Sequence, residues 1–355
     1  MTDKPPYRVP SMEEIRALPW NGFNAVSTFS GCGGSSLGYR MAGFRMLWAS
    51  EFVPAAQETY RANAAPHTVL DTRDIREVKG RDILDACGLG VGEIDLFDGS
   101  PPCASFSTAG KREAGWGQVK KYSDTEQRTD DLFYEYARLI EETQPRTFVA
   151  ENVAGLVKGS AKGYFKEILA RLRAPGYRVS VRVLDASWLG VPQSRNRLIF
   201  VGVREDLGTD PAHPTPLLYR YTVRDTLPGI LAQGDNGGFG GGSFRSADHP
   251  SPTILTGPSN GNKDYPPGHV IAEPSVVHDP ETGQALSIKG SRRVRKLTLA
   301  ELRAISGFPE DFILTGTYAQ RWERIGRAVP PVMMSHIAAT VRDRILVPLR
   351  EAETI

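Results

Sequence analysis

The chain has 355 residues, 40% of them hydrophobic and 24% charged, with a formal net charge of +2. This is enough to bury a core and to divide into a large and a small domain, which argues against disorder, while so small a net charge does not by itself identify a nucleic-acid partner. Three cysteines, Cys32, Cys87 and Cys103, exclude a disulfide-stapled secreted domain and point to a reducing, cytoplasmic setting.

Met1 to Pro10 is polar and proline-rich, with no basic start leading into an apolar run. It reads as neither signal peptide nor anchor, and no apolar stretch is long enough to span a bilayer. From Ala25 to Phe200 short β-rich runs alternate with helical patterns, which predicts βαβ units around a mostly parallel sheet. The expected strands are Ala25–Ser30, Met46–Ser50, Ile94–Asp98, Thr147–Glu151, Val179–Asp185 and Leu198–Val203. Ligands of open α/β sheets bind beyond the carboxyl ends of strands, where Ser30, Glu51, Asp98 and Glu151 are expected to emerge.

After Arg204 prolines and a glycine cluster from Gly234 to Gly242 replace this rhythm, which places a domain boundary there. Pro250 to Ile254 reads as a strand leading into a loop at Gly257 to Gly261. Regular patterning returns in a short helix from Leu297 to Ile305 and a terminal helix from Val332 to Val347 that Pro348 is expected to end. Two basic clusters stand out, Arg292, Arg293, Arg295 and Lys296, and Lys111, Arg112, Lys120 and Lys121. Taken alone, each reads as a solvated face.

The run Phe29-Ser-Gly-Cys-Gly-Gly-Ser-Ser-Leu-Gly38 closes the first strand and opens a helix, so its glycines let the backbone approach a ligand. It lacks the lysine and spacing of a Walker loop, which disfavours triphosphate hydrolysis. Glu51 ends the second strand, where a Rossmann-type fold hydrogen-bonds ribose hydroxyls. An adenosine-containing ligand fits, with Phe52 stacking on adenine and Asp74 accepting from its amino group, although both are equally readable as ordinary surface or core residues.

Asp98-Gly-Ser-Pro-Pro-Cys103 is more specific: a Pro-Pro pair rigidifies the backbone before a cysteine at a strand end, as a positioned nucleophile requires. A buried, inert cysteine is the competing reading, and it suits Cys32 and Cys87 better. Ala104 to Arg128, rich in Gly, Ser, Thr and Lys, reads as a long loop able to close over a site. Glu151-Asn-Val153 brings a second carboxylate to the same crevice. Gln193-Ser-Arg-Asn-Arg197 puts Arg195 and Arg197 on one side of an extended segment, since side chains two apart share a face.

These segments, in this order and spacing, resemble those of the DNA (cytosine-5) methyltransferases of bacterial type across nearly the whole chain. Arg295-Lys-Leu-Thr-Leu-Ala-Glu301-Leu-Arg303 with Gly307-Phe-Pro309 is similar to that family's ninth motif, and Gly326-Arg-Ala-Val-Pro-Pro331 to its tenth. The resemblance implies an α/β, Rossmann-like S-adenosylmethionine-dependent methyltransferase fold with a second, smaller target-recognition domain. The expected division is 1–204 for the catalytic domain, 205–318 for target recognition and hinge, and 319–355 for a segment returning to the catalytic domain. Sequence choice is expected between Glu205 and about Gly290.

The implied chemistry is transfer of a methyl group from S-adenosyl-L-methionine to carbon 5 of cytosine in double-stranded DNA. Cys103 adds to carbon 6, its thiolate favoured by Arg195 and Arg197; Glu151, held protonated by burial, binds nitrogen 3; Arg195 contacts oxygen 2; and Arg197 orients the group. The cofactor is expected at Phe29, Ser30, Gly31, Cys32, Gly33, Gly34, Glu51, Phe52, Asp74, Ile75, Asp98, Leu132 and Val329, with no metal and no membrane partner. A monomer is expected, with a cognate restriction endonuclease as a partner the resemblance allows. The target base must leave the stack at a cost of a few kcal/mol, and the basic clusters would supply phosphate contacts.

One departure is Arg327, where the tenth motif usually has asparagine. It could pair with the methionine carboxylate, turn outward, or signal altered cofactor preference or weakened activity. Three competing functions are weighed: an RNA cytosine-5 methyltransferase, a catalytically silent DNA-binding regulator, and a Rossmann-type oxidoreductase, the last of which leaves the Pro-Pro-Cys103 segment without a job.

Overall fold

The computed structural model describes residues 4–102, 120–122, 125–127, 131–157, 161–236, 244–256, 268–278 and 285–353. The strands are β1 (Asn24–Thr28), β2 (Arg45–Ser50), β3 (Val69–Asp71), β4 (Leu96–Gly99), β5 (Lys120–Tyr122), β6 (Thr125–Gln127), β7 (Thr147–Val153), β8 (Tyr177–Asp185), β9 (Asn196–Arg204), β10 (Ala232–Asn236), β11 (Phe244–Ser246), β12 (Gly268–His278) and β13 (Ala285–Lys296). The helices are α1 (Met12–Ala17), α2 (Gly34–Met41), α3 (Pro54–Asn63), α4 (Gly80–Cys87), α5 (Leu132–Thr143), α6 (Lys162–Arg173), α7 (Val223–Thr226), α8 (Leu299–Ile305), α9 (Tyr318–Arg327), α10 (Pro331–Val341) and α11 (Val347–Glu353).

Seven strands form the central sheet in the order β3-β2-β1-β4-β7-β9-β8. All pairings from β3 to β7 are parallel, whereas β9 runs antiparallel to both neighbours. Because β2 lies on one side of β1 and β4 on the other, the strand order reverses at β1, and a crevice opens there at the carboxyl ends. The expected α/β architecture is thus present. Strand β3 escapes sequence reading because three half-exposed residues carry no periodic signal.

Alternation along the strands divides the core into two layers. Val26, Phe97, Phe148, Ala150 and Phe200 face a cluster with α4, α5 and α6, while Ala25, Leu96, Val149, Ile199 and Val201 face one with α2 and α10. Helix α10 approaches α2 closely at Gly38, where a Cβ would lie 2.5 Å from that of Met334. Beyond Leu346 the helical path continues through Pro348 instead of ending. A π-helical turn at Arg342–Leu346 precedes α11, and Pro348 follows directly on that wider turn.

Strands β10 to β13 form a four-stranded antiparallel sheet in the order β11-β10-β12-β13. Sequence patterning missed it, since Pro274 interrupts β12 and its pairing with β13 shifts register there, a bulge that tolerates the proline. Pro250 to Ile254 is not the expected strand. It makes one isolated bridge, Ser251 to Gln193, and the loop at Gly257 to Gly261 lies outside the described residues. A third cluster joins Ile254, Leu302, Ile305, Phe308 and Trp322 to Met12 and Ile15 of α1, so the segment before β1 packs against the later part of the chain.

Candidate active site

The crevice is a cavity of about 720 Å³, walled by the loops after β1, β2, β4 and β7, the start of β9, residues 253–256 and the end of α9. That volume suits a molecule of drug size. Among its described lining residues are five arginines, Arg73, Arg195, Arg197, Arg324 and Arg327, against three glutamates, Glu51, Glu151 and Glu323.

The glycine loop forms one wall. Phe29, Ser30, Gly31, Cys32 and Gly34 line the cavity. Phe29 has φ +54°, a left-handed conformation costly for a bulky residue and held by the turn that follows β1. A Cβ on Gly34 would sit 2.3 Å from the Val329 carbonyl oxygen, so only glycine lets residues 328–329 close this wall. Gly33 caps α2 with φ +92° and does not line the cavity.

Glu51 lies at the end of β2, 9% exposed. Its Oε2 accepts from the Gly31 amide at 2.7 Å and its Oε1 from the Val53 amide at 2.8 Å. Burial raises its pKa, against the lowering effect of those amides. Each oxygen keeps a second lone pair, so the carboxylate is held in place with capacity left for hydroxyl donors. Phe52, Ile75 and Val329 add apolar surface. A pre-oriented carboxylate, apolar walls and a glycine cradle fit an adenosine-bearing cofactor.

Besides Gly33, three expected cofactor residues lie off the cavity. Asp98 is buried beneath it and accepts from Ser27 Oγ at 2.7 Å and Tyr39 OH at 2.9 Å. Its side chain faces the α2 side of the sheet, where Ser27 and Tyr39 hold it. Leu132 is core, the first residue of α5, fully enclosed with Phe133 and Tyr136. Asp74 pairs with Arg76 at 3.0 Å, while its neighbours Arg73 and Ile75 reach the cavity.

On the opposite wall Glu151 Oε1 meets Arg197 Nε at 2.6 Å. Glu151 is opposite Ile199 in the β7/β9 ladder, so Arg197, two residues earlier, is its same-face diagonal neighbour. Arg195 is placed differently. It lies ahead of β9, is 2% exposed, and donates from Nη1 to the Ile254 carbonyl at 3.3 Å and from Nη2 to those of Gly326 at 2.9 Å and Arg327 at 3.3 Å. Burial drives its pKa well down, and Arg197 acts in the same direction. The guanidinium beside Glu151 thus belongs to Arg197, whereas Arg195, expected on the reacting base, ties its own segment to residues 254 and 326–327.

Cys103 lies outside the described residues, as does most of the Ala104 to Arg128 loop, including Lys111 and Arg112. Pro101 and Pro102 line the cavity, and Asn152 Nδ2 donates to the Pro101 carbonyl at 3.2 Å, fixing that segment to β7. Thr253, Leu255, Glu323 and Arg324 also line the cavity and carried no sequence signal. Cys32 donates to the Arg324 carbonyl, and burial pushes its thiol up to about 12, which keeps it protonated and inert.

Residues 23–233 and 250–343 match the family described as C-5 cytosine-specific DNA methylase. The chain is 32% identical over 336 residues to the type II methyltransferase M1.HphI of Haemophilus parahaemolyticus, covering 89% of this chain and 86% of that protein. It is 30% identical over 351 residues to the type II methyltransferase M.MthTI of Methanothermobacter thermautotrophicus, covering 89% and 96%. Among solved structures, a prophage-encoded Escherichia coli protein described as a DNA modification methyltransferase superposes with a TM-score of 0.63 at 20% identity, over 92% of this chain and 100% of that one. A DNMT2 variant from Spodoptera frugiperda gives 0.61 at 16% identity, over 92% and 99%. At these identities the last two speak to the fold alone.

Proposed function

This chain belongs to the C-5 cytosine-specific DNA methylase family, and we propose that Cys103, Glu151 and Arg197 perform its reaction. The enzyme transfers a methyl group from S-adenosylmethionine to carbon 5 of cytosine in DNA. The observation that carries the assignment of residues is the Glu151–Arg197 pair, at the cavity wall next to Pro101 and Pro102.

Carbon 5 of cytosine is a weak nucleophile until a bond forms at carbon 6, which is the work we assign to the Cys103 thiolate. Negative charge then grows at nitrogen 3 and oxygen 2, where Glu151 hydrogen-bonds the former and Arg197 the latter. Arg195, anchored on three carbonyls, is a positioning residue that holds residues 254 and 326–327 against β9. The cofactor, when bound, supplies an electrophilic methyl group on a sulfonium sulfur. Glu51 would hold its ribose, Phe52 and Ile75 its adenine, and the Phe29–Gly34 loop its remaining length.

We assign residues 1–204 to catalysis, 205–318 to target recognition and hinge, and 319–355 to a segment returning to the catalytic core. The β10–β13 sheet and the packing of α10 on α2 support this, with α1 joining the later cluster. The relatives' type II designation supports a role in restriction and modification beside a cognate endonuclease. We read the enzyme as a cytoplasmic monomer acting on DNA; no helix among the described residues is long and apolar enough to cross a membrane.

The test is covalent trapping. With S-adenosylmethionine present, duplex DNA bearing 5-fluorocytosine should form a denaturant-stable complex with the wild type: after methyl transfer, loss of the carbon 5 proton normally expels the Cys103 thiolate, and fluorine cannot leave as that proton does. Cys103→Ser should bind the duplex without forming it, and a Cys103→Ser enzyme that still traps DNA would refute the assignment.

A further inference from the structure

Arg327 and Glu323 lie one helical turn apart near the end of α9, and both line the cavity. Arg327 Nε and Nη2 reach Glu323 Oε1 at 2.8 and 2.7 Å. Arg324 Nη1 lies 3.8 Å from the other oxygen, Oε2. The pair adjoins the glycine loop, since the next residues along the chain, Ala328 and Val329, are the ones that close upon Gly34. Glu51, by contrast, is bonded to Gly31, nearer the start of that loop.

We propose that this ion pair is a clamp for the α-amino-acid end of the methyl donor, with Arg327 turning from Glu323 to the donor's carboxylate and Glu323 taking its ammonium. The inference rests on the reading of this cavity as the donor site. Its chemistry is a trade of partners. A guanidinium–carboxylate pair becomes two pairs, guanidinium with ligand carboxylate and glutamate with ligand ammonium, so no charge is stranded. Glu323 also keeps Arg324 nearby when Arg327 departs.

The geometry favours such an exchange. Arg327 has a side chain 35% exposed and Glu323 one 14% exposed, so the guanidinium has room to move while the carboxylate is held. A planar two-donor fork also matches a carboxylate better than an amide could. This gives a use to the arginine that stands where the family's tenth motif has asparagine. The clamp would recognise the end of the ligand farthest from adenine, which makes it separable by experiment from the Glu51 end.

Calorimetric titration of the full-length enzyme with two probes tests this. S-adenosylhomocysteine carries the amino-acid end, and 5′-methylthioadenosine lacks it. Arg327→Ala should weaken the first by about tenfold to a hundredfold and leave the second unchanged, with Arg327→Lys in between. Unchanged binding of methylthioadenosine also shows that the variant is folded. Equal losses for both probes, or none for either, would overturn the clamp while leaving the cavity reading intact. Loss of DNA affinity alone would make Arg327 a phosphate contact and overturn it too. If the wild type bound neither probe, the reading of the cavity would fail, and the clamp with it.

Discussion

Glu151 and Arg197 meet across two antiparallel strands, with Oε1 of one 2.6 Å from Nε of the other. Each side chain is mostly enclosed, so neither is merely a surface charge. Glu151→Gln keeps the shape and removes the ionisable carboxyl group, and Arg197→Ala removes the cationic partner. Either should lower kcat by about 10² to 10³ while leaving the affinity for S-adenosylhomocysteine unchanged. Single-turnover methylation with equilibrium binding of the cofactor product checks both, and a loss confined to cofactor affinity would contradict the assignment.

Arg195 has a different prediction because its partners are carbonyls of other segments. Arg195→Ala leaves those oxygens without their donor and opens a void, which should destabilise the fold by about 2–4 kcal/mol. Thermal unfolding measures it. A variant with wild-type melting and only a lower kcat would make Arg195 a catalytic group after all.

Burial raises the Asp98 pKa from an ordinary 3.8 to about 7, against the donors Ser27 and Tyr39. A folded-state pKa raised in this way favours the protonated acid, so its contribution is present below about pH 4 and is lost as pH rises through about 7. Asp98→Asn, neutral throughout, should therefore gain on the wild type in melting temperature between those limits. A constant difference across the range would sink this account.

Gly34→Ala would drive a methyl group into the Val329 carbonyl. Relief requires the glycine loop and residues 328–329 to separate, at a cost of about 1–3 kcal/mol, together with weaker binding of S-adenosylhomocysteine. Calorimetry and unfolding of the same variant test the two effects, and normal binding would show that this wall tolerates movement.

Much of the site was legible because its chemistry is local. The glycine run before a helix, Glu51 at a strand end, the Pro-Pro-Cys103 segment and the Glu151 run each announce themselves within a few residues. The short apolar or β-branched runs bounded by turn formers foretold β1, β2, β4 and β7 to β9 for the same reason. Where the pattern was broken, by Pro274 in β12 or by the shortness of β3, it fell silent.

Which of two arginines stands on Glu151 could not be read that way. Arg195 and Arg197 are alike in spacing and type, and only the β7/β9 register makes one a diagonal neighbour of the carboxylate and leaves the other buried among carbonyls. The same holds for Asp98 turning inward, α1 packing against the later residues, and Glu323 joining the cavity wall. Sequence alone determined which reactive groups the chain carries and that they end up at strand termini, since those are properties of neighbours along the backbone. Tertiary structure decided which groups touch, because side-chain distances are set by strand register and by how far burial lets segments remote in sequence approach.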